Sequence, residues 1–420
     1  MSLTRRSALR LLAASAAAPA FKQTSLGMTE ETASSHRVKP DSHAKYKQAG
    51  LPVEVRVRDL LSRMTVDEKA RQLDMYAGVT DSVQSLVEND SNFLRDNFSH
   101  LKAPFQKGVP VVTDLDAEVD AIKKTGFRSE DAQRVWGDRG VGSIHGLDPS
   151  AELSNAIQKW LIENSRLGIP ALFIEEGLHG YLDGTIFPAP INLSATWNPE
   201  IVKQTAAAIA AEARANGVDM ILAPVLDVAR DPRWGRIEED FGEDPYLTGQ
   251  LGLAYVKGAQ GGSLSTDHTV VAEPKHFAGY GSPESGTNTS PVHIGERELR
   301  TVMLKSFEPA IRQGHAMAVM AAYPEIDGLP IVADPQLLIK ILRGEWGFLG
   351  FVLGDLGAIR HLYDRHFLAA TPKDAICRAI NSGVDMQFYT KHFKMPYAAA
   401  YRTERFPTKP SIMQCPRFFE

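Results

Sequence analysis

The sequence is poor in cysteine and carries no large excess of one charge. Two cysteines among 420 residues are too few for a disulfide framework. The 46 basic and 51 acidic side chains leave a formal net charge of −5, whereas a dedicated nucleic-acid binder usually carries a marked basic excess. No apolar run approaches the ~20 residues that a transmembrane helix needs, so we expect no membrane span. With 43% hydrophobic and 23% charged residues, the composition is that of an ordinary globular protein.

Several chemical motifs are also missing. There is no His-Glu-x-x-His and no Cys/His spacing of a zinc site, so no metal centre is predicted. There is no Gly-x-Ser-x-Gly nucleophile elbow and no phosphate-binding loop. The sequence therefore predicts no cofactor, and it leaves carboxylate side chains as the main candidates for catalysis.

The amino terminus resembles an export signal. The pair Arg5-Arg6 precedes an apolar, alanine-rich run at residues 11–20, which is the layout of a signal peptide. The two arginines are similar to those of a twin-arginine signal, although the match is imperfect. We predict a signal over residues 1–25, a polar linker over 26–45, and a periplasmic or extracellular location. The alternative is a frayed, alanine-rich helix.

The central part of the chain alternates between apolar runs and helical segments. The runs lie at Val141–Ile144, Ala171–Ile174, Met220–Val228, Val270–Glu273, Met317–Ala322, Phe351–Gly354 and Val384–Phe388. The helical segments include residues 199–216, 296–313, 335–345 and 373–382. Such alternation predicts a parallel sheet with crossover helices, and seven runs approach the eight strands of a (β/α)8 barrel. A doubly wound open sheet is the rival fold, but no Gly-x-Gly-x-x-Gly turn follows an early strand.

Polar side chains follow these runs. Directly after successive runs stand Glu175 and Glu176, then Asp227, Arg230, Asp231 and Arg236, then Lys275 and His276, then Tyr323, and then Asp355. In a (β/α)8 barrel these positions meet at the C-terminal mouth, where active sites form. Carboxylates accept hydrogen bonds from hydroxyls, Lys and Arg donate them, and an aromatic ring such as that of Trp234 stacks on a sugar. The set favours a carbohydrate ligand, and glycoside hydrolysis needs two carboxyl groups.

Each candidate also has a purely structural interpretation. Asp355 is the best nucleophile candidate because it ends a buried run near predicted cations, but it could instead only cap the helix that follows. The structural roles open to the remaining candidates are a buried ion pair for Lys275, a core histidine for His276, a loop-holding ion-pair network for Arg233 and Arg236, and an orienting carboxylate for Glu176. The residue pattern alone leaves both interpretations of each side chain open.

Six motifs make the chain resemble a known family. They are EEGLHG at 175–180, FPAPI at 187–191, DPRWGR at 231–236, GEDP at 242–245, KHFAGY at 275–280 and GFVLGD at 350–355. In this order, over roughly residues 50–390, they are similar to glycoside hydrolase family 3, the group of β-glucosidases and β-xylosidases. The resemblance implies a (β/α)8-like barrel domain at 46–390, with an incomplete last helix, and a retaining mechanism. The implied substrates are β-linked glucosides, xylosides or oligosaccharides.

The resemblance also implies residue roles. Asp355 resembles the family's nucleophile. The implied binders of the nonreducing-end sugar are Glu176, Arg236, Lys275 and His276, with Met320 and Tyr323 lining the same subsite. Two departures lie beside the nucleophile, because Gly354 stands where Ser is usual and Leu356 where an aromatic residue is common.

The resemblance ends after Met386. In the glucosidase and xylosidase branch, the acid/base is a Glu in an α/β sandwich domain that follows the barrel. Here residues 391–420 are irregular and basic, with four prolines. We therefore expect the sandwich domain to be missing, with a frameshifted or truncated end and impaired hydrolysis. The alternative function is a non-catalytic carbohydrate-binding barrel.

Overall fold

The chain is described by a computed structural model that covers residues 43–77, 127, 129–147, 150–181 and 184–388. The predicted export signal, nearly all of the predicted linker and the 391–420 tail lie outside these residues. Within the covered ranges, no helix combines the length and the apolar character needed to cross a membrane.

Eight parallel strands form the main sheet. The strands of the covered ranges are β1 (Asp74–Ala77), β2 (Ser143–His145), β3 (Leu172–Glu175), β4 (Met220–Ile221), β5 (Val271–Ala272), β6 (Ala318–Ala321), β7 (Glu325–Ile326), β8 (Leu329–Pro330), β9 (Phe351–Gly354) and β10 (Met386–Phe388). The sheet order is β5-β4-β3-β2-β1-β10-β9-β6, and each neighbouring pair is parallel. The antiparallel pair β7–β8 is a separate two-stranded sheet.

The two ends of the main sheet meet just beyond β5. The Phe277 N–H donates to the Met320 carbonyl at 2.7 Å, and the Ala322 N–H donates to the Phe277 carbonyl at 2.9 Å. This segment therefore pairs with β6 and closes the barrel. Around the ring the eight strands follow their order in the chain, which confirms the predicted (β/α)8 fold.

The strand that the apolar pattern does not predict is β1. It offers only Met75, Tyr76 and Ala77 as apolar residues, and it begins with Asp74. Asp74 is fully buried, and its Oδ1 accepts a hydrogen bond from the Gln387 amide on β10 at 2.5 Å. A buried polar pair thus stands where an apolar residue is expected. For this reason the strand does not show the apolar run by which the other strands were predicted.

Helices connect most of the strands. They are α1 (Val53–Arg63), α2 (Val66–Arg71), α3 (Ser129–Val135), α4 (Ala151–Asn164), α5 (Pro190–Ser194), α6 (Pro199–Ala215), α7 (Pro245–Gln260), α8 (Glu296–Glu298), α9 (Glu308–Arg312), α10 (Ala358–Asp364) and α11 (Pro372–Asn381). Two π-helical segments lie at Leu299–Met303 and Gln336–Glu345. Short 3₁₀ turns lie at Lys45–Lys47, Gly137–Arg139, Pro232–Trp234, Ile237–Glu239, Glu284–Gly286 and Ile331–Ala333.

The predicted helices over 199–216 and 373–382 are confirmed as α6 and α11. The prediction of one helix over 296–313 is wrong, because the segment divides into α8, a π-helical turn and α9. Pro309 lies in the first turn of α9. Proline has no N–H and its ring clashes with the preceding turn, so it can begin a helix but cannot continue one.

Glycines on α7 let this helix approach both α6 and the barrel. A Cβ on Gly258 would lie 2.2 Å from the Lys203 carbonyl oxygen of α6. A Cβ on Gly252 would lie 2.4 Å from the Leu226 side chain, directly before Asp227. At Gly258 the obstacle is backbone, so a larger residue there would push α7 away from α6, whereas at Gly252 the Leu226 side chain would have to shift.

Candidate active site

The predicted site residues stand where barrel strands end. Glu176 follows β3, Arg236 lies in the loop after β4, Lys275 and His276 come after β5, Tyr323 follows β6, and Asp355 follows β9. Only the first two residues of the predicted run Met220–Val228 form a strand. The remainder is the start of the loop that carries Asp227. These side chains therefore meet at the C-terminal mouth of the barrel.

Lys275 and Glu176 form an ion pair across this mouth. Lys275 Nζ lies 3.0 Å from Glu176 Oε2, with the lysine buried and the Glu176 side chain 53% exposed. Burial alone raises the pKa of Glu176, but the Lys275 ammonium lowers it more, so the net pKa lies below its ordinary value. A buried ammonium group and a half-exposed, ionised carboxylate are thus held side by side in the mouth.

His276 is held by Asp227 and faces Arg236. The His276 backbone N–H donates to Asp227 Oδ2 at 3.1 Å, and ring Nδ1 lies 2.7 Å from the same oxygen. An Arg236 terminal nitrogen lies 3.2 Å from His276 Nε2. Because a guanidinium can only donate, Nε2 accepts and the ring proton lies on Nδ1. Burial lowers the pKa of His276 to about 3, so the ring is neutral.

The two arginines of the DPRWGR motif have different surroundings. Arg236 donates two hydrogen bonds to Glu239, at 2.6 and 2.7 Å, and its guanidinium lies over the rings of Trp234 and Tyr280 at 5.5 and 5.3 Å. Arg233 is 69% exposed and pairs with Asp231, two residues away. Arg233 therefore fits the loop-holding interpretation, whereas Arg236 also reaches the site histidine.

Within the covered ranges, Asp355 has one carboxylate oxygen that accepts a hydrogen bond and one that does not. The residue is 8% exposed, and its Oδ1 accepts from the Leu356 N–H at 2.6 Å. Its Oδ2 is buried, accepts no hydrogen bond of good geometry among the residues that the structure covers, lies 3.8 Å from His276 Nε2, and faces the Tyr323 side chain. α10 begins at Ala358 after Gly357, without a side-chain cap. The Asp355 side chain thus does not cap that helix.

Tyr323 and Met320 differ in their access to the mouth. The Tyr323 hydroxyl donates to the Leu356 carbonyl at 2.8 Å, and its ring packs edge-on against Tyr280 with centroids 5.8 Å apart. Met320 is 2% exposed within β6, where its carbonyl oxygen takes part in barrel closure. Tyr323 therefore forms part of an aromatic wall, whereas Met320 lies in the layer below it.

Four more mouth residues have no binding role predicted from the sequence. They are His145, Asp227, Glu239 and Tyr280. His145 directly follows the apolar run Val141–Ile144, so the rule that placed the predicted candidates could have found it. Asp227 also lies near the end of a run, but its hydrogen bonds to a residue 49 positions away depend on how the barrel closes.

Three further carboxyl groups are buried around the site. They belong to Glu175, Asp240 and Glu273. Burial raises the pKa of Glu175 to about 8, although its Oε1 accepts from the Leu147 N–H at 2.8 Å. Burial also raises the pKa values of Asp240 and Glu273 well above the ordinary range. In the covered ranges, no group of three or more His, Cys, Asp or Glu side chains is placed to hold a metal ion.

The arrangement is chemically suited to a ligand rich in hydroxyl groups. Lys275 and Arg236 supply donors, Glu176 and Glu239 supply acceptors, and the neutral His276 contributes without adding charge. The Asp355 oxygen is the one nucleophile candidate in this set that no neighbouring protein group satisfies.

A sequence model described as "Glycosyl hydrolase family 3 N terminal domain" matches residues 65–402 of the chain. Among curated relatives, a putative beta-xylosidase of Formosa agariphila is 32% identical over 352 residues, which are 82% of this chain and 42% of the relative. A periplasmic beta-glucosidase of Salmonella typhimurium is 33% identical over 340 residues, which are 80% of this chain and 38% of the relative. The chain spans about two fifths of the length of these relatives.

The chain is also similar to solved structures of β-glucosidases. A β-glucosidase from Erythrobacter marinus superposes with a TM-score of 0.66 at 27% identity, covering 90% of this chain and 47% of that one. A β-glucosidase from Listeria innocua in complex with glucose superposes with a TM-score of 0.64 at 29% identity, covering 82% of this chain and 45% of that one.

Proposed function

The chain belongs to glycosyl hydrolase family 3, and on that premise we propose that it is an exo-acting, retaining β-glycosidase. Its substrates are terminal β-D-glucosyl or β-D-xylosyl residues, and its nucleophile is Asp355. The observation that carries the proposal is the buried, unpartnered Oδ2 of Asp355, which ends β9 beside His276. The names of the curated relatives, which are beta-xylosidases and beta-glucosidases, support this substrate class.

The proposed reaction has two displacements. In the first, Asp355 Oδ2 attacks the anomeric carbon, a new carbon–oxygen bond forms, and the bond to the leaving oxygen breaks, so that the leaving group departs as an oxyanion and takes up a proton from solvent. In the second, water attacks the same carbon, the bond between that carbon and Asp355 breaks to regenerate the carboxylate, and the proton of the attacking water goes to solvent. Lys275, Arg236, Glu176 and Glu239 hold the sugar hydroxyls through both steps.

The described carboxyl groups fit the role of general acid poorly. A general acid needs a raised pKa so that it holds a proton at neutral pH. Burial raises the pKa of Glu239, but its hydrogen bonds from Arg236 lower it more, and Lys275 does the same to Glu176. The pKa values of four further carboxyl groups around the site are raised, but all four groups are buried: Glu175, Asp227, Asp240 and Glu273. We therefore propose that this chain depends strongly on the leaving group.

A panel of aryl glycosides tests the activity. We expect turnover of 4-nitrophenyl β-D-glucoside or β-D-xyloside, and no turnover of the matching α-glycosides. Acid assistance is worth ~10²–10⁴-fold, so alkyl β-glycosides should react slower than nitrophenyl ones by at least that margin. Equal rates for alkyl and nitrophenyl glycosides would contradict the proposed lack of an acid.

Mechanism-based labelling tests the nucleophile. A 2-deoxy-2-fluoro β-glucosyl inactivator should leave one sugar on the peptide that contains Asp355, as read by mass spectrometry. The matched control is D355N, which should remain unlabelled. A label on any other residue rejects the assignment.

A non-catalytic carbohydrate-binding barrel is the second candidate. It is favoured by the ion pairs of the mouth, because Glu176 and Glu239 are each committed to a basic partner rather than free to move protons. Glucose or xylose binding by calorimetry without turnover of any aryl glycoside would support this candidate. Turnover by the purified chain would exclude it.

Export through the paired arginines is a separate proposal. The relative named as a periplasmic beta-glucosidase supports an exported location. Replacing Arg5 and Arg6 with Lys should retain the protein in the cytoplasm, as measured by fractionation. Unchanged export would reject a twin-arginine signal.

A further inference from the structure

We propose that His145, at the carboxyl end of β2, is an additional sugar-contacting residue that binds one hydroxyl of the glycone. The proposal rests on the proposed glycosidase function. It adds a binding group on the side of the barrel formed by β10, β1 and β2, where no binding residue is predicted from the sequence.

The position of His145 directs its ring into the barrel. It is the last residue of β2, level with Ala77 of β1 and Ile174 of β3. Its ring packs edge-on against Phe388, the last residue of β10, with centroids 4.8 Å apart. β2 and β10 are separated by β1, and only the concave face of a closed barrel brings side chains of such strands together. The two rings therefore meet over β1, on the inner face.

The electrostatic surroundings place His145 beside the ion pair of the mouth. The charges that act on its ring are those of Glu176 and Lys275. Burial lowers the pKa of His145 below its ordinary value, so the imidazole is neutral at neutral pH. A neutral imidazole offers one donor and one acceptor, which is what a hydroxyl group can match.

The ring also has an unsatisfied atom. Nε2 of His145 is buried and has no hydrogen-bond partner within the described part of the chain. Native proteins rarely leave a buried polar atom unpaired, because the loss of water is not compensated. If this position were purely structural, a branched apolar residue would fill it, as is usual inside such barrels. A histidine here points to a partner supplied by the ligand.

A set of deoxy substrates tests the contact. In the wild-type chain, each of the 2-, 3-, 4- and 6-deoxy analogues of 4-nitrophenyl β-D-glucoside should react with a lower kcat/KM than the parent. We expect H145A to lower kcat/KM for the parent by about 10-fold, the size of one lost hydrogen bond. We call the loss in kcat/KM caused by removing one substrate hydroxyl the deoxy penalty for that hydroxyl. In H145A one of the four deoxy penalties should disappear, because the side chain that binds that hydroxyl is already gone.

The matched control is F388L, which disturbs the packing of the same ring pair but keeps the imidazole. F388L should retain all four deoxy penalties. The inference is overturned if H145A retains all four penalties at wild-type size, or if F388L abolishes the same penalty as H145A. Where H145A does not fold, H145Q provides the second variant, since its amide can restore the contact and the penalty.

Failure of the proposed function gives a different result. If the wild-type chain turns over none of these glycosides but binds glucose by calorimetry, the glycosidase proposal fails and the same comparison is made on binding. A weaker glucose affinity in H145A than in F388L then supports the contact, and equal affinities overturn it. If the wild-type chain also fails to bind glucose, both proposals are rejected.

Discussion

The proposed sugar-binding groups of the mouth and the proposed nucleophile differ in how their charges are paired, although Asp227, Asp240 and Glu273 near β4 and β5 also have buried oxygens without a hydrogen-bond partner among the described residues. On the side of β3 to β5, Lys275 pairs with Glu176, and Arg236 pairs with Glu239. On the side of β9, Asp355 Oδ2 is buried without a partner among the described residues. Paired groups are oriented before a ligand arrives, which reduces the reorganisation needed to hold it. An unsatisfied oxygen is instead left at high free energy, and a bond to carbon relieves that state.

The largest expected effect is on the unpaired side. D355N should lower kcat by roughly 10⁴-fold or more, because it removes the proposed nucleophile while keeping the shape of the side chain. Its thermal midpoint should be equal to or above that of the wild type, since active sites often trade stability for function. Kinetics with 4-nitrophenyl β-D-glucoside and calorimetric melting measure the two quantities. A D355N protein with a tenth of wild-type activity would contradict the assignment of Asp355 as the nucleophile, and with it the contrast between the two sides.

The next effect concerns the support of His276. D227L should leave the two N–H donors of His276 unsatisfied, at a cost of about 2–3 kcal/mol in stability and roughly 10²-fold in kcat/KM. D227N is the matched control, because its amide oxygen can still accept a hydrogen bond. Urea denaturation and steady-state kinetics should therefore separate the two variants. Similar losses in D227N and D227L would mean that charge, rather than orientation, is what Asp227 supplies.

The two neighbouring arginines give a smaller and sharper comparison. R236A should lower kcat/KM by roughly 10–10²-fold, because it removes a bidentate, half-buried ion pair and a donor to His276. R233A should change stability by less than about 0.5 kcal/mol, because its pair with Asp231 is exposed. Both variants are read by the same assay and the same denaturation curve. Equal activity losses in R236A and R233A would show that activity depends on the conformation of the loop that carries both arginines, rather than on the Arg236 guanidinium.

The smallest expected effect is the pH dependence of stability contributed by His276. An unfolded histidine takes up a proton near pH 6.5, whereas burial lowers the pKa of His276 to about 3 in the folded chain. Between these values the unfolded state binds more protons, so this contribution to stability falls as the pH falls from about 6.5. Relative to H276N, the wild type should lose about 1 kcal/mol between pH 7 and pH 5.5. Parallel curves for the two proteins would show that His276 is not neutral when folded.

The strands were predictable where apolar residues dominate the run. The seven apolar runs all correspond to barrel strands, because a buried parallel strand needs apolar residues on both faces. β1 was not predictable in this way, because its first residue is Asp74 and the partner of that residue, Gln387, lies 313 positions away. A polar pair of that kind exists only once the barrel is closed.

The site was predictable in location but not in detail. Polar residues after apolar runs indicate the mouth, and they include Asp355 and Lys275. The sequence could not distinguish Arg233 from Arg236, because both stand between acidic residues. Burial and the approach of His276 separate them. Only the backbone shows that Asp355 does not cap the next helix, because that helix begins two residues later than a cap at Asp355 would require.

The closure of the barrel has a consequence for dynamics. The seam between β5 and β6 is made by Phe277, which directly follows Lys275 and His276. Opening the seam would therefore carry two proposed binding groups away from the mouth. A sugar that contacted both groups would bind only the closed state and would stabilise that state by mass action. The rate of amide hydrogen exchange at Phe277 should then fall as the sugar concentration rises, so this rate would report the fraction of the protein that holds ligand.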